Sequence, residues 1–336
     1  MRREPSTGVV LAAGSGVRLA PLTATRPKPM LPIAGKPLLE YNLAQLAAAA
    51  VRTIVVVISP NGEPIKRDFG DRFGEIGVSY IVQHEARGTG HAVSLARDAI
   101  GRQAFLCIFG DNLTTWPVTR LLPPHREMHA VATLALFHAR DPRRHGVVEL
   151  SGRAIRRIVE KPDHPPSDLA SAGMFIFEPE IFDALEATAP APSGEVQLPD
   201  AVELLIAGGR TVAYAVLDEW RLNINTPQEL LEANRHMLDR CRGTACRAPT
   251  LEGIAPPVAA ADEPRITDGA CLGPYVSCGK GCVIEAGARV SDSILLDKVT
   301  VGAAAQVERC IIGESARVEP GAVARNRVVA DGAVCR

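Results

Sequence analysis

The sequence predicts an α/β protein in two parts: a doubly wound, mostly parallel sheet with helices on both faces, then a left-handed parallel β-helix. Three observations predict it. Strand-like and helix-like stretches alternate four times between residues 8 and 109. The strand-like stretches are apolar and rich in β-branched residues, the mark of strands buried on both faces. From Ile266 onward an apolar residue returns every six positions, the period of a coil with three short faces per turn.

Taken in order, Val9 to Ala12 is an apolar run between Gly8 and Gly14 and reads as the central strand. Gly14-Ser15-Gly16 follows, where missing side chains let backbone N–H groups close on an anion. Arg18 and Lys28 come next, with four prolines between Pro21 and Pro32 that stiffen the loop and prevent helix. Pro37 to Ala50 predicts a helix, Thr53 to Ile58 a buried strand, Gly62 to Phe73 a helix stopped by Gly74, and Val78 to Val82 a third strand. Thr89 to Ile100 predicts a helix, and Ala104 to Phe109 a fourth strand leading into Gly110-Asp111-Asn112. This alternation is Rossmann-like, and in such sheets ligands lie beyond the carboxyl ends of the strands, where Gly14 and Asp111 fall.

Further strands are predicted at Ala130 to Ala139, Gly146 to Leu150, Ala154 to Glu160, Ala172 to Phe177 and Val212 to Val216. Helices are predicted at Pro179 to Ala187, Asp200 to Ala207 and Pro227 to Arg240, the last opened by Thr226-Pro227. These elements make a domain over residues 1–243. Residues 244–264, rich in Ala and Pro, read as a linker. Residues 265–336 carry the repeat, through Ile266, Leu272, Cys278, Ile284 and Val290. The register slips by one to Leu295, continues at Val301 and Val307, and slips again to Ile312, then Val318 and Ala324. Both slips follow Val-x-x-Ser/Cys-Ile, which predicts one structural device used on successive turns.

Composition removes several function classes. Lys plus Arg is 37 against 38 acidic residues, a net charge of -1, so no basic field favours nucleic acid. The sequence shows no secretory signal and no membrane-length apolar run, which predicts a cytoplasmic protein without a membrane partner. The eight cysteines read as reduced thiols, and spacings such as Cys241 to Cys246 and Cys278 to Cys282 match no paired zinc pattern.

Gly14-x-Gly16 after a strand is weak by itself. A P-loop needs Gly-Lys-Ser/Thr after four intervening residues, and none is present. A dinucleotide fingerprint needs a third Gly near Leu19 and an acid after the second strand; the chain has Leu19-Ala20 and Ser59-Pro60. What stands is Leu-Ala-Ala-Gly-x-Gly-x-Arg-Leu, then Pro-Leu-Thr and Pro-Lys-Pro-Met-Leu-Pro-Ile. This resembles the nucleotidyltransferases that join a sugar 1-phosphate to an NTP and release pyrophosphate, in their long form with a hexapeptide-repeat tail. Gln83-x4-Gly88-Thr89-Gly90-His91-Ala92, Phe109-Gly-Asp-Asn112, His145-Gly-Val-Val-Glu149, Val159-Glu-Lys-Pro162 and Trp220 to Asn225 extend the resemblance over about residues 8 to 240.

The resemblance implies Leu11, Ala12, Ala13, Gly14, Ser15, Gly16, Gln83, Gly88 and Thr89 as nucleotide-binding residues. It implies Arg18, Lys28 and Lys161 as catalytic cations, and Asn112, Gly146, Glu160 and Gly173 as sugar-binding residues. Asp111 and Asn223 would hold Mg²⁺, with Asn225 a nearby alternative to Asn223. Arg18 would brace the triphosphate by forked hydrogen bonds, Lys28 would act as a point charge, and Lys161 would neutralise the sugar phosphate. Gln83 can both donate to and accept from a uracil or thymine edge, which favours UTP or dTTP. Ala13 and Val17 stand where many members of the family have Gly and Thr or Ser.

Two other readings remain open at this stage: the same reaction with another NTP or another phosphorylated substrate, or a nucleotide-sensing subunit without turnover. All eight histidines lie at or before His236, so the repeat lacks the general base of an acyltransferase. Assembly of a homo-oligomer or allosteric regulation is the expected work of the tail.

Overall fold

A computed structural model describes residues 4–240 and 253–336. The chain divides into two compact units, Met1–Gly14 with Tyr41–Arg221, and Ser15–Glu40 with Leu222–Arg336.

The first unit is built on a ten-stranded sheet. Its main strands are β1 (Thr7–Ala12), β2 (Thr53–Ile58), β3 (Ile76–Val82), β4 (Phe105–Phe109), β5 (Ala132–His138), β6 (Gly146–Ser151), β7 (Ala154–Glu160), β8 (Leu169–Phe177) and β9 (Val212–Val216). They lie in the order β6-β7-β9-β5-β8-β4-β1-β2-β3, and the short strand Arg72–Phe73 closes the β3 edge. β4, β1, β2 and β3 are parallel, and β8 runs antiparallel between β4 and β5. Alternate residues of the parallel strands are buried on opposite faces. Val9, Val55, Val57, Phe105 and Cys107 join a core with Ala92, Val93 and Phe182, while Val10, Ile54, Val56 and Ile108 are equally buried. Continuous apolar strands are what a sheet covered on both sides requires.

Several elements differ from the sequence expectation. The helix predicted over Gly62 to Phe73 spans Glu63–Phe69, because Gly70 takes φ 61° and turns the chain into the edge strand Arg72–Phe73. The helix predicted over Thr89 to Ile100 is two pieces, Gly88–Ser94 and Arg97–Ile100. Pro37 pairs in a short strand with Pro32, and its helix begins at Leu38.

The second unit contains three stacks of short parallel strands. Ile266, Ile284, Val301, Val318 and Cys335 are register partners down one stack. Leu272, Val290, Val307 and Ala324 follow a second, and Cys278, Leu295, Ile312 and Val329 a third. These side chains form one buried cluster. The two register slips have one physical origin. Both fall at the corner between the second and third stacks, where Asp292 and Arg309 adopt left-handed φ of 46° and 53°. Asn326, with φ 51°, repeats the corner on the next turn. Ser293 Oγ accepts from the Cys310 N–H of the following turn at 3.0 Å.

The stacks begin earlier than the six-residue pattern indicates. Val258–Ala260 heads the third stack by pairing with Val276–Cys278, inside the stretch read as a linker. Residues 244–252 of that stretch, with Cys241 and Cys246, lie outside the described residues. The unit division also cuts across the boundary expected near residue 243. Ala34 packs with Leu238 and Ala259, and Asn234 Oδ1 accepts from both the Ala34 N–H and Ser277 Oγ at 2.8 Å, so the Ser15–Glu40 segment belongs with the repeat.

Candidate active site

Within the first unit, the turn after β4 lies against the end of β1. The Gly110 N–H donates to Leu11 O at 2.9 Å, and a Cβ on Gly110 would stand 2.8 Å from that oxygen. Only glycine permits this approach, which brings Asp111 and Asn112 beside Ala12 and Ala13. Asp111 is half-buried, and the Asn112 amide is buried with neither polar atom hydrogen-bonded among the described residues. Gly14 is exposed, and a Cβ there would meet nothing. Its surroundings in the protein do not demand a glycine, whereas room for a ligand against the backbone would.

At the end of β3, Gln83 is buried and its amide orientation is fixed. Nε2 lies 3.1 Å from Gly88 O and 3.0 Å from His91 Nδ1. Gly88 O only accepts, so Nε2 must be the donor in both contacts and His91 Nδ1 the acceptor. Burial, with the positive charge of Arg87, holds the His91 pKa below its ordinary value and disfavours the imidazolium, and the Gln83 contact assigns the neutral ring's one proton to Nε2. Gly88 (φ 90°) and Gly90 let the turn close on Val196 O, to which Gly90 N–H donates at 2.8 Å. Thr89 Oγ1 accepts from Leu198 N–H at 3.1 Å, which gives this residue a structural task.

Of the residues expected on the sugar side, Gly146, Glu160 and Gly173 lie in β6, β7 and β8. Gly146 pairs with Glu160, and a Cβ at 146 would come within 3.0 Å of Glu160 Oε2. The Glu160 pKa is raised, first by burial, against the opposing pull of Lys161, whose Nζ lies 3.4 Å from Oε1. Gly173 takes φ 72° at a bulge, and a Cβ there would stand 2.9 Å from the Phe109 ring. This glycine is explained by packing.

One residue escaped the sequence reading. The Arg221 guanidinium sits 4.1 Å over the Phe137 ring, and its Nε donates to Ala172 O at 3.2 Å. Burial pushes its pKa down to about 10, and Asp111 pulls the other way, so it stays charged at neutral pH. His145 packs edge-on against Phe137 and is kept below its ordinary pKa by burial and then by Arg221 and Arg144. Lys161 N–H donates to His145 O at 3.0 Å. The cations flanking His145 suit an anionic ligand. The only sequence signal was that Arg221 lies inside Trp220 to Asn225.

In the second unit, Gly16 takes φ 64°, and a Cβ would press on Thr23 Cγ2 at 3.0 Å and Lys28 Cβ at 3.1 Å. Ser15 and Arg18 are exposed, with Arg18 in a 3₁₀ turn. Lys28 is buried, and its Nζ donates to Asn225 Oδ1 at 2.9 Å. Asn225 N–H in turn donates to Glu229 Oε2 at 2.8 Å, so Asn225 is committed to holding Lys28. Asn223 lies in the short strand Arg221–Asn223.

Residues 7–240 match the Nucleotidyl transferase family and residues 254–335 match the GMPPB C-terminal domain. The chain belongs to the nucleotidyl transferase family. It is 33% identical over 321 residues to a glucose-1-phosphate thymidylyltransferase of Streptomyces griseus, covering 89% of this chain and 90% of that protein. It is 30% identical over 323 residues to a low-salt glycan biosynthesis nucleotidyltransferase of Haloferax volcanii, with the same two coverages of 89% and 90%. A crystal structure of a UDP-glucose pyrophosphorylase with UDP-glucose shares the fold at TM-score 0.64 and 24% identity, covering 70% of this chain and 99% of that one. No helix among the described residues is long and apolar enough to cross a membrane.

Proposed function

We propose that this enzyme transfers a uridylyl or thymidylyl group from UTP or dTTP to a sugar 1-phosphate, giving an NDP-sugar and pyrophosphate. The observation that carries the base choice is the committed amide of Gln83. With both donors tied to Gly88 O and His91 Nδ1, its Oε1 is the atom offered to a ligand. An amide oxygen seeks an N–H, which uracil and thymine present at ring N3 and guanine at ring N1, whereas adenine and cytosine carry a bare ring nitrogen there and offer only an exocyclic amino group. The chain-long likeness to a thymidylyltransferase, at 33% identity, is matched by one to a mannose-1-phosphate guanylyltransferase of Mycobacterium tuberculosis at 32%, so the choice between pyrimidine and guanine rests on the NTP assay.

In the reaction, an oxygen of the sugar phosphate attacks the α-phosphorus in line with departing pyrophosphate. Positioning and positive charge then do most of the work. Arg18 and Lys28 are assigned to the triphosphate. Lys161 is assigned to the sugar phosphate, with Arg221 added beside it for its charge near Asp111 and its fixed stacking on Phe137. Glu160 would accept from sugar hydroxyls in the space that Gly146 leaves.

Asp111 is the assigned Mg²⁺ ligand, with Asn223 as the second and Asn225, which accepts from Lys28, as its nearby alternative. Among the described residues, no three or more His, Cys, Asp or Glu side chains form a metal cluster. One carboxylate and neutral oxygens still fit Mg²⁺, which takes its remaining ligands from water and substrate phosphates. The unsatisfied Asn112 amide beside Asp111 points the same way, to a polar group that arrives with substrate. When bound, Mg²⁺ would neutralise charge on the phosphates.

The strand stacks support a left-handed β-helix for the repeat, and we propose that it mediates self-association. Val323 and Val334 are exposed on its last turns, and sedimentation of the full chain tests that assignment. The function itself is tested by pyrophosphate release with each NTP against glucose 1-phosphate and other phosphorylated substrates. Turnover with UTP or dTTP is expected. Turnover with ATP or CTP alone would sink the Gln83 argument, and turnover with GTP alone would keep it but move the base.

A further inference from the structure

We propose that Arg26 is a positioning residue that clamps the phosphate-gripping loop to the repeat domain, so that the repeat sets the loop's geometry for the reaction. The inference rests on the reading that residues 14–28 grip the NTP.

Arg26 is nearly enclosed, its side chain 13% exposed, and it meets two carboxylates of the last turns. Nη1 donates to Asp331 Oδ1 at 3.2 Å, and Nη2 to Asp331 Oδ2 at 2.8 Å and to Glu314 Oε2 at 3.1 Å. Thr25 Oγ1 donates to the same Asp331 Oδ2. A forked, partly buried guanidinium–carboxylate pair fixes direction as well as distance.

The acidic side of the clamp is itself rigid. Asp331 Oδ1 also accepts the Glu314 N–H at 2.7 Å, and Gly313 lies against the Asp331 backbone so closely that a Cβ would stand 2.5 Å from its nitrogen. The same carboxylate-to-backbone device occurs two turns earlier, where Asp297 Oδ1 accepts from Lys280 N–H at 2.8 Å. At Asp331 an ordinary feature of the coil is extended to hold a side chain of the loop.

The loop side transmits the restraint. Arg26 is followed by Pro27-Lys28-Pro29, all three buried, so few backbone torsions separate the guanidinium from the Lys28 ammonium. Thr23 Oγ1 donates to Gly16 O at 2.9 Å, tying the glycine turn to the same stiff segment. Releasing Arg26 would cost the turn its outer anchor.

The test uses the full chain and four variants: Arg26→Ala, Arg26→Lys, Asp331→Asn, and the swap of Arg26→Asp with Asp331→Arg. In Asp331→Asn the amide oxygen can still accept the Glu314 N–H, so the coil keeps its internal bond while the charge is lost. Expected results are a KM for NTP raised roughly tenfold in Arg26→Ala, a smaller rise in Asp331→Asn and Arg26→Lys, and partial recovery in the swap. The KM for sugar phosphate should hold, and amide hydrogen exchange over residues 16–31 should quicken. Unchanged loop exchange in Arg26→Ala would overturn the clamp, and Arg26 lies outside the coil, so misfolding of the repeat cannot mask that outcome. Faster loop exchange with unaltered NTP affinity would keep the clamp and overturn the nucleotide role of the loop.

Discussion

Gln83 Nε2 lies 3.0 Å from His91 Nδ1, and this contact, with that to Gly88 O, fixes which end of the Gln83 amide carries its donors. His91 serves through Gln83 as an acceptor that must remain unprotonated. His91→Ala should therefore raise the KM for UTP and dTTP and relax discrimination against ATP and CTP, by roughly 10- to 100-fold. His91→Asn, whose oxygen can still accept, should preserve much of the selectivity. Competition between NTPs at fixed sugar phosphate measures both; identical selectivity in all three proteins would remove the orienting role.

The same contact predicts a pH dependence. His91, His145 and His236 all have pKa values held below 6.5, chiefly by burial. The unfolded chain therefore takes up protons first as pH falls through 6.5, so the stability these neutral rings contribute is present above that pH and is lost as pH falls toward their lower folded values. Tm should drop between about pH 7 and pH 5, and NTP selectivity should weaken over the same range. A flat profile in both would count against the neutral His91.

Asp111→Asn should lower kcat by about 100-fold or more and weaken Mg²⁺ dependence, while circular dichroism reports an unchanged fold. Near-normal turnover would remove Asp111 as a metal ligand.

Lys161→Ala and Arg221→Ala should mainly raise the KM for the sugar phosphate. In Lys161→Ala the Glu160 pKa should rise further, because the cation that opposes the effect of burial is gone, and the acid limb of the pH–rate profile should move upward. Arg221→Lys keeps the charge but loses the planar stack on Phe137, so partial rescue separates electrostatics from packing. If NTP binding alone suffers, the sugar-phosphate assignment is wrong.

Gly173→Ala tests a different claim. The new methyl would meet the Phe109 ring at 2.9 Å in a backbone of φ 72°, so a loss of about 1–3 kcal/mol is expected. Thermal unfolding should show it with pyrophosphorolysis kinetics changed less. Unchanged stability would mean that Gly173 is there for the sugar.

The glycine turn, the carboxylate after the fourth strand and the repeat period are legible in the sequence because each is encoded over a few neighbouring residues. Gly70 illustrates the limit: its left-handed φ ends a helix that residue preferences would carry on to Phe73. Val258–Ala260 illustrates another, since an Ala- and Pro-rich stretch becomes strand only because Val276–Cys278 pairs with it.

Sequence alone determined the alternation of strands and helices, the stiff loop with its two cations, and the residues stacked inside the coil. Each follows from local backbone preference and the period of apolar residues. Tertiary structure decided which atom of Gln83 is offered, that Arg221 stacks on Phe137, and that Arg26 meets Glu314 and Asp331, partners 288 and 305 residues away. Such pairings carry no local signature. They exist only when chain closure, hydrogen-bond satisfaction and burial bring distant side chains to one spot.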